Sequence, residues 1–475
     1  MSTVRPSAAP ERLDPGFVRL SLVMLTGALA VVFDTTIVNI ALETLGRQLR
    51  VPVSTVQWIT TGYLLALGMA VPTTNWLTGR FGGKNVWLAA LALFLAGSVG
   101  ASLAPDAPAL IVCRVVQGAG GGLMLPVMQT LLVQAANGRS LGRATAVIAL
   151  PALLGPVLGP VVGGLIVQHL SWRWIFWVNV PFCLAGLALA WRFMPPGERD
   201  RDAALDWTGL ALLCPGIAAI VFGLSRVGAD GGFGHAEVLL PLVAGATLVA
   251  CFAVRALRTD GTPLVDVRLL RNSSFGAASA LMFLSGFVLY GAMLLIPLYF
   301  QQVGGRDALT AGLLLAPQGI GVLLSRGPAG TLTDRLGARP VTAVGLAVTA
   351  LGTLPFAWAG PGTETWWLIA ALVVRGIGLG AVTIPVMTSA YEGLARDRVP
   401  HASVITRTLQ QLGGSFGTAV PAVVLDSELA RHPGGPSDAA AAFGHTFWWS
   451  IGFTVLALAV AAWLPSRLAR RATGR

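Results

Sequence analysis

Charge is scarce in this sequence. Charged residues fill 11% of its 475 positions, where a soluble chain of ordinary composition carries about 25%. Acids are the rarer sign, 21 against 32 bases, and Lys84 is the one lysine among the bases. The net charge of +11 does not point to nucleic acid. The arginines fall in short segments between long apolar runs, where topology signals belong. Cysteine is scarce too. Cys113, Cys183, Cys214 and Cys251 lie inside apolar runs without metal-ligand spacing and read as small buried hydrophobes. The five histidines, His169, His235, His401, His432 and His445, are scattered near the ends of apolar runs or between them, which excludes a clustered metal site. A phosphate loop is absent: Gly83-Lys84 is followed by Asn85 and lacks the upstream glycine. An ATP-driven engine is therefore excluded. No cofactor, no metal and no enzymatic activity are expected.

Apolar residues are abundant, at 55%. They gather in runs of about 20 residues, the length that crosses a bilayer as a helix. We read fourteen spans, at roughly 17–42, 54–77, 86–104, 108–131, 143–168, 173–194, 207–226, 237–257, 275–300, 309–332, 340–359, 365–391, 402–425 and 443–464. The first begins at Phe17, is longer than the apolar core of a signal peptide and has no small-residue cleavage site behind it. It is expected to be retained. With the N-terminus inside, 22 basic residues fall in cytoplasmic segments and 6 in outer ones. That bias predicts cytoplasmic termini. Trp172, Trp174 and Trp177 then lie at the outer mouth of the sixth span, where an aromatic belt belongs.

A short motif recurs. Leu77-Thr78-Gly79-Arg80-Phe81-Gly82-Gly83-Lys84 follows the second span, and Leu332-Thr333-Asp334-Arg335-Leu336-Gly337-Ala338-Arg339 follows the tenth. Both sit in basic turns on the same side, which implies a parallel repeat. The expected plan is an all-α polytopic membrane protein of fourteen spans. A six-helix bundle covers 1–194, a linker with two extra spans 195–274, and a second six-helix bundle 275–475.

The most unusual stretch is the fifth span, LPALLGPVLGPVVGGLIVQ, residues 150–168. Gly155, Gly159 and Gly163 recur every four residues and line one helix face, where another backbone can approach closely. Pro156 and Pro160 each remove a backbone donor and invite a bend, which a membrane helix tolerates when neighbours satisfy the freed carbonyls. Spacing alone supports a tightly packed, kinked helix. The ten residues from Gly155 to Gly164 also resemble the antiporter signature GxxxGPxxGG of the major facilitator superfamily, which marks exporters that exchange substrate for protons.

Other segments resemble the same family, and specifically its fourteen-helix drug:proton antiporter branch. Asp34-Thr35-Thr36-Ile37-Val38-Asn39-Ile40-Ala41-Leu42 is similar to the branch's first-helix motif, with Glu43 where proline is usual. Leu77, Arg80, Gly82 and Lys84 match the gate motif between the second and third spans. Asn75 there replaces the first glycine, and Gly79 replaces an aspartate that helps close the cytoplasmic side in the family. The second copy keeps its acid as Asp334, beside Arg335. Arg114-Val115-Val116-Gln117-Gly118-Ala119-Gly120 resembles RxxQGxG, Trp172 to Pro181 resembles WRWIFxxNxP, and the segment from Arg407 to Gly417 is also branch-like. The resemblance implies the major facilitator fold, with two six-helix bundles plus two inserted helices. It also implies gating roles for Arg80, Asp334 and Arg335, and coupling to the proton gradient with no bound cofactor.

Ionisable residues inside spans mark function, because a charge in hydrocarbon costs at least about 2.5–3.5 kcal/mol. They are Asp34, Arg114, Arg326, Arg375 and Arg407. Arg326 and Arg407 lie toward span ends and read mainly as structural, with heads that reach the interface. Arg375 fits a structural tie and a cavity wall equally well. Asn39, Gln57, Gln117 and Gln129 either line a substrate cavity or bridge helices. Asp34 and Arg114 are the expected proton-coupling pair. Asp34 lies about 21 Å along the outward first span, and Arg114 reaches a similar depth on the inward fourth. Neither charge rests there alone at low cost, and only the aspartate can change protonation state.

The leading expectation is a proton-driven exporter of small amphipathic compounds such as antibiotics, working as a monomer in a bacterial cell membrane. Its partners are the substrate, protons and the lipid bilayer. The alternatives are export of one dedicated metabolite and a non-transporting membrane sensor. Acids are too few inside the spans to suit a multivalent cation, so neutral, weakly acidic or monocationic substrates are expected.

Overall fold

The computed structural model describes residues 15–51, 53–136, 147, 159, 162–166, 169–197, 199–200, 204–227, 232–259, 263–431 and 434–464. The side chains of Asn39 and Gln57 lie outside the description, as do Gly155, Pro156 and Pro160 altogether. Every regular element among the described residues is helical.

The helices fall into two groups. The first contains α1 (Pro15–Leu49), α2 (Val53–Ala70), α3 (Thr74–Phe81), α4 (Gly83–Leu103), α5 (Ala107–Ala135), α6 (Trp174–Trp177) and α7 (Asn179–Phe193). In it α5 packs on both α2 and α4, and α7 on both α1 and α4. A pair follows, α8 (Trp207–Val227) and α9 (Ala236–Arg258), packed on each other, with α8 also touching α2. The second group contains α10 (Ser273–Gln302), α11 (Ala308–Leu313), α12 (Ala316–Leu336), α13 (Ala338–Thr353), α14 (Thr365–Tyr391), α15 (Val399–Arg431) and α16 (Pro436–Ala461). Here α14 packs on α12 and α13, and α10 on α15 and α16. The groups meet where α15 crosses α5 and α3.

Local chemistry sets the helix ends. Asp106 caps α5 by accepting from Ala109 N at 2.9 Å, with proline in the first turn. Asn272 caps α10 in the same way, accepting from Ser274 N at 3.0 Å. Lys84 donates to the carbonyls of Trp191 and Met194 at 2.9 and 2.8 Å. The single lysine thus neutralises the C-terminal end of α7.

Ten described stretches are long and apolar enough to cross a membrane. Of the other four expected spans, the fifth lies largely outside the described residues. The remaining three are present as the helices α2, α12 and α15. Each mixes polar residues among the apolar ones, and α12 and α15 turn theirs toward the cavity described below.

The internal repeat is built into the backbone. The turns after α3 and α12 pivot on Gly82 (φ 82°) and Gly337 (φ 90°), a left-handed geometry that glycine adopts without strain. The same stripe of close approaches recurs in α5 and α14. A Cβ on Gly118 would sit 2.3 Å from the Tyr63 carbonyl oxygen, and one on Gly376 would sit 2.0 Å from that of Gln318. Likewise Gly97 abuts the backbone nitrogen of Gln117, and Gly352 that of Arg375. Gln117 and Arg375 therefore hold corresponding places in the two groups. Lipid offers no hydrophobic drive between helices, so this close backbone packing is what holds them together.

Candidate functional site

The centre of the first group is a polar cluster sealed from solvent. Asp34 on α1 and Arg114 on α5 meet with Nη1 at 2.5 Å from Oδ2, and they are 0% and 1% exposed. Arg114 Nη1 also donates to Gln117 Oε1 at 2.7 Å, and its Nε donates to the Ile59 carbonyl at 3.2 Å. The other carboxylate oxygen, Oδ1, accepts from Gln117 Nε2 at 2.8 Å and from Asn179 Nδ2 at 3.0 Å. Gln117 and Asn179 both reach Ser98 Oγ as well. The guanidinium carbon lies 4.0 Å from the centre of the Tyr63 ring and 5.8 Å from that of Phe176, so aromatic faces add cation–π stabilisation.

Six helices supply this cluster: α1, α2, α4, α5, α6 and α7. A carboxylate here satisfies donors from α5 and α7 at once. Protonating it would replace an acceptor by an O–H and strip Arg114 of its counter-charge. Two buried oxygens, Tyr63 Oη and Asn179 Oδ1, have no partner among the described residues, which leaves acceptor capacity for a new donor.

The expected site residues separate into distinct places. Asp34, Arg114 and Gln117 are together. Gln117 belongs to the Asp34–Arg114 cluster and is absent from the cavity wall. Arg375 is 1% exposed. It donates to Thr353 Oγ1 at 3.2 Å, to Gln318 Oε1 and to the Val288 carbonyl at 3.0 Å, so it lies behind the cavity wall and ties it. Gln129 lines the cavity itself. Gly159, Gly163 and Gly164 are buried, and a Cβ on Gly159 would come 2.0 Å from Thr36 Oγ1 on α1. That part of the glycine face presses on α1 at Thr36. Arg80 is half-buried on α3, and Asp334 and Arg335 are exposed at the end of α12. Sequence reasoning missed Asn179, Ser98 and Tyr63 as members of the cluster. The asparagine did carry a signal, as the Asn of the WRWIFxxNxP-like segment that leads into α7.

The cavity, about 100 Å³, lies where α5 of the first group faces α10, α12, α14 and α15 of the second. Its polar lining includes Gln129, Gln318, Arg326, Arg407 and Gln410, and no acidic side chain is among the residues that line it. At the end of the molecule where α3 turns into α4, Asn75 Nδ2 meets the ring of His401 on α15 at 3.1 Å. The backbone N–H of Asp266 donates to His401 Nδ1 at 3.1 Å.

Comparison with known proteins agrees with this architecture. Residues 24–418 match the Major Facilitator Superfamily. The multidrug resistance protein B homolog of Mycobacterium tuberculosis is 37% identical over 421 residues, covering 88% of this chain and 77% of that protein. The lincomycin resistance protein LmrB of Listeria innocua is 31% identical over 395 residues, covering 83% of each. The solved structure of the human organic anion transporter MFSD10 superposes with a TM-score of 0.65 at 17% identity, over 93% of this chain and 100% of that one, a likeness of fold alone. With transporter relatives and many apolar helices, the chain is an integral membrane protein, and it belongs to the Major Facilitator Superfamily.

Proposed function

We propose that this protein is a proton-coupled exporter of small amphipathic organic compounds, such as antibiotics, in a bacterial cell membrane. The observation that carries the reading is the fully buried Asp34–Arg114 pair. The attraction within an ion pair held this deep repays its desolvation only with good geometry and further hydrogen bonds, so the pair is a poor device for stability alone and supports a switching role. When Asp34 takes a proton, Arg114, Gln117 and Asn179 lose their shared acceptor, and α1, α5 and α7 are released to repack. When the proton leaves, the cluster closes again. Alternating these states against substrate occupancy gives exchange of substrate for protons. The names of the relatives from Mycobacterium and Listeria support drugs as substrates.

In this reading the chain has fourteen spans. Residues 1–194 and 275–475 form the two bundles, 195–274 carry the inserted pair, and both termini are cytoplasmic, as the arginine bias supports. Arg80, Asp334 and Arg335 sit at the cytoplasmic gate, and Gly159 packs span five on span one at Thr36. The proton gradient drives the protein without a cofactor, and it works as a monomer. The test is proton flux in vesicles containing the purified protein, across a panel of amphipathic drugs. The expected result is substrate-triggered proton movement that Asp34→Asn abolishes. Substrate movement that leaves protons still, at every drug tested, would overturn the coupling.

A further inference from the structure

One member of the Asp34–Arg114 cluster takes no part in its hydrogen bonds. Tyr63 on α2 is 1% exposed, and the Arg114 guanidinium stacks on its ring, 4.0 Å from the centre. The hydroxyl on that ring has no partner among the described residues. It stands in an apolar nest: a Cβ added to Gly121 on α5 would come 3.1 Å from Tyr63 Oη and 3.4 Å from both Phe94 and Val31. A phenylalanine would offer Arg114 an aromatic face as well, without leaving a buried polar atom unpaired at a cost to stability. Packing alone therefore does not account for the hydroxyl.

The state of Asp34 does account for it. With the carboxylate charged, Arg114 Nη1 is held 2.5 Å from Oδ2. A proton on Asp34 removes that counter-charge, while the guanidinium stays charged and buried. Arg114 then needs another acceptor. Asn179 Oδ1 and Tyr63 Oη are the two oxygens of the cluster without partners among the described residues. The Asn179 amide is already engaged at Asp34 Oδ1 through its nitrogen. Tyr63 carries its oxygen on the very ring that Arg114 touches, so a slide of the guanidinium along that ring brings donor to acceptor. Gly121, lacking a side chain, leaves the hydroxyl room to turn. The charged and titratable groups facing Asp34 among the described residues are Arg114 from α5, Tyr63 from α2 and Cys183 from α7, and from the second group Arg407 and Tyr290 act on Tyr63. None of them offers Arg114 a second carboxylate.

We infer that Tyr63 is a positioning residue of the proton site: its hydroxyl accepts from Arg114 when Asp34 is protonated and so favours the protonated state. The inference rests on the reading of Asp34 as the proton carrier, so protonation and export are measured separately. The full-length protein in nanodiscs is titrated by difference infrared spectroscopy. The signal is the carbonyl band of the protonated Asp34 carboxyl, identified by its loss in Asp34→Asn. Tyr63→Phe keeps the aromatic face and removes the hydroxyl. A contact made only in the protonated state raises the pH of half-conversion, so removing it lowers that pH. The expected displacement is about half a unit to one unit downward, roughly a threefold to tenfold loss of proton affinity and the worth of one hydrogen bond. Thermal unfolding gives a second readout that a space-filling role would not move with pH. Tyr63→Phe should match or exceed the parent's Tm at alkaline pH, where the hydroxyl is unpaired, and fall below it at acidic pH. An unchanged or raised pH of half-conversion, or a Tm difference that does not vary with pH, would overturn the inference and leave the proton role of Asp34 standing. Absence of an Asp34 band at every pH would overturn both. A lowered pH of half-conversion together with drug export that ignores pH would count against the export reading alone.

Discussion

Asn75 on α3 and His401 on α15 hydrogen-bond across the junction of the two helix groups, at 3.1 Å. His401 is fixed from a third direction by the backbone N–H of Asp266, in the segment between α9 and α10. Asn75 occupies the place of a motif glycine, and Gly79, four residues on, has no side chain to offer. A Cβ at Gly79 would meet nothing within 4 Å. The amide–imidazole contact thus joins the two groups at this end, where Gly79 offers no side chain.

Removing that contact should loosen the end of the cavity on which it sits. With the four native cysteines replaced, a Gln410→Cys reporter in the cavity wall measures access of a membrane-impermeant maleimide from this side. His401→Ala is expected to speed labelling about fivefold, matching the roughly 1 kcal/mol net worth of a hydrogen bond. Unchanged labelling would mean that the closed junction is held by apolar packing alone.

A second anchor fixes the inserted pair. Asp206 Oδ1 accepts from Gly209 N at 2.8 Å, and Oδ2 accepts from Arg255 Nη1 at 2.9 Å and from Leu264 N at 3.2 Å. Burial pushes this carboxyl upward, but the Gly209 N–H, the Arg255 guanidinium and the Leu264 N–H together outweigh it and hold it below the usual carboxylate range. A lowered folded value stabilises above the unfolded value of about 3.9, and the contribution fades as pH falls through the still lower folded value. Asp206→Asn should therefore raise amide exchange over residues 264–272 about fivefold at neutral pH, a partly exposed pair being worth about 1 kcal/mol. The difference between the two proteins should shrink as the pH drops below about 3.9. A difference that stays constant well below that pH, through the lowered folded value, would point to a role in shape alone.

The meeting of Asp34 with Arg114 was legible because each is the deep ionisable residue of its helix, and depth follows from counting along a helix of known rise. The duplicated turn at Gly82 and Gly337 was legible for a similar reason, since a positive φ leaves glycine at a fixed register. What counting does not give is azimuth. The positions of Arg326 and Arg407 along their spans were visible, but that both face the cavity was not. Asn179 and Ser98 gave no charge signal at all, and their membership depends on α7 and α4 converging on α1. The helices α2, α12 and α15 were legible as spans even though polar residues interrupt their apolar runs.

Gly159 tests the contact between span five and α1. A Cβ there would overlap Thr36, whose Oγ1 and Cβ would lie 2.0 and 2.5 Å away. Gly159→Leu is expected to reach the membrane and abolish export. Gly159→Ala should reduce it about tenfold or more, an overlap of this size costing at least about 1–3 kcal/mol. Thr36→Gly, which removes both atoms, should restore part of the loss in the Gly159→Ala background. Near-normal export by the leucine variant, measured by drug accumulation in expressing cells, would show that the two backbones separate during transport without consequence.

The last test divides the proton role of Asp34 from its structural one. Asp34→Asn keeps an oxygen for Gln117 or Asn179 but leaves Arg114 buried without a counter-charge, a loss of about 3–5 kcal/mol for a broken buried pair. The single variant should therefore be both less stable and unable to drive uphill, pH-dependent export. Removing the arginine as well takes away the stranded charge. Asp34→Asn combined with Arg114→Gln should regain most of the thermal stability of the parent protein, since neutral pairs of similar volume often replace buried ion pairs at little cost. It should regain none of the coupling, because no group remains that can exchange a proton. Substrate should still bind and equilibrate down its gradient. If the double variant were stable and exported uphill at the parent's rate with the same pH dependence, Asp34 and Arg114 would be a structural tie. The proton path would then have to run elsewhere.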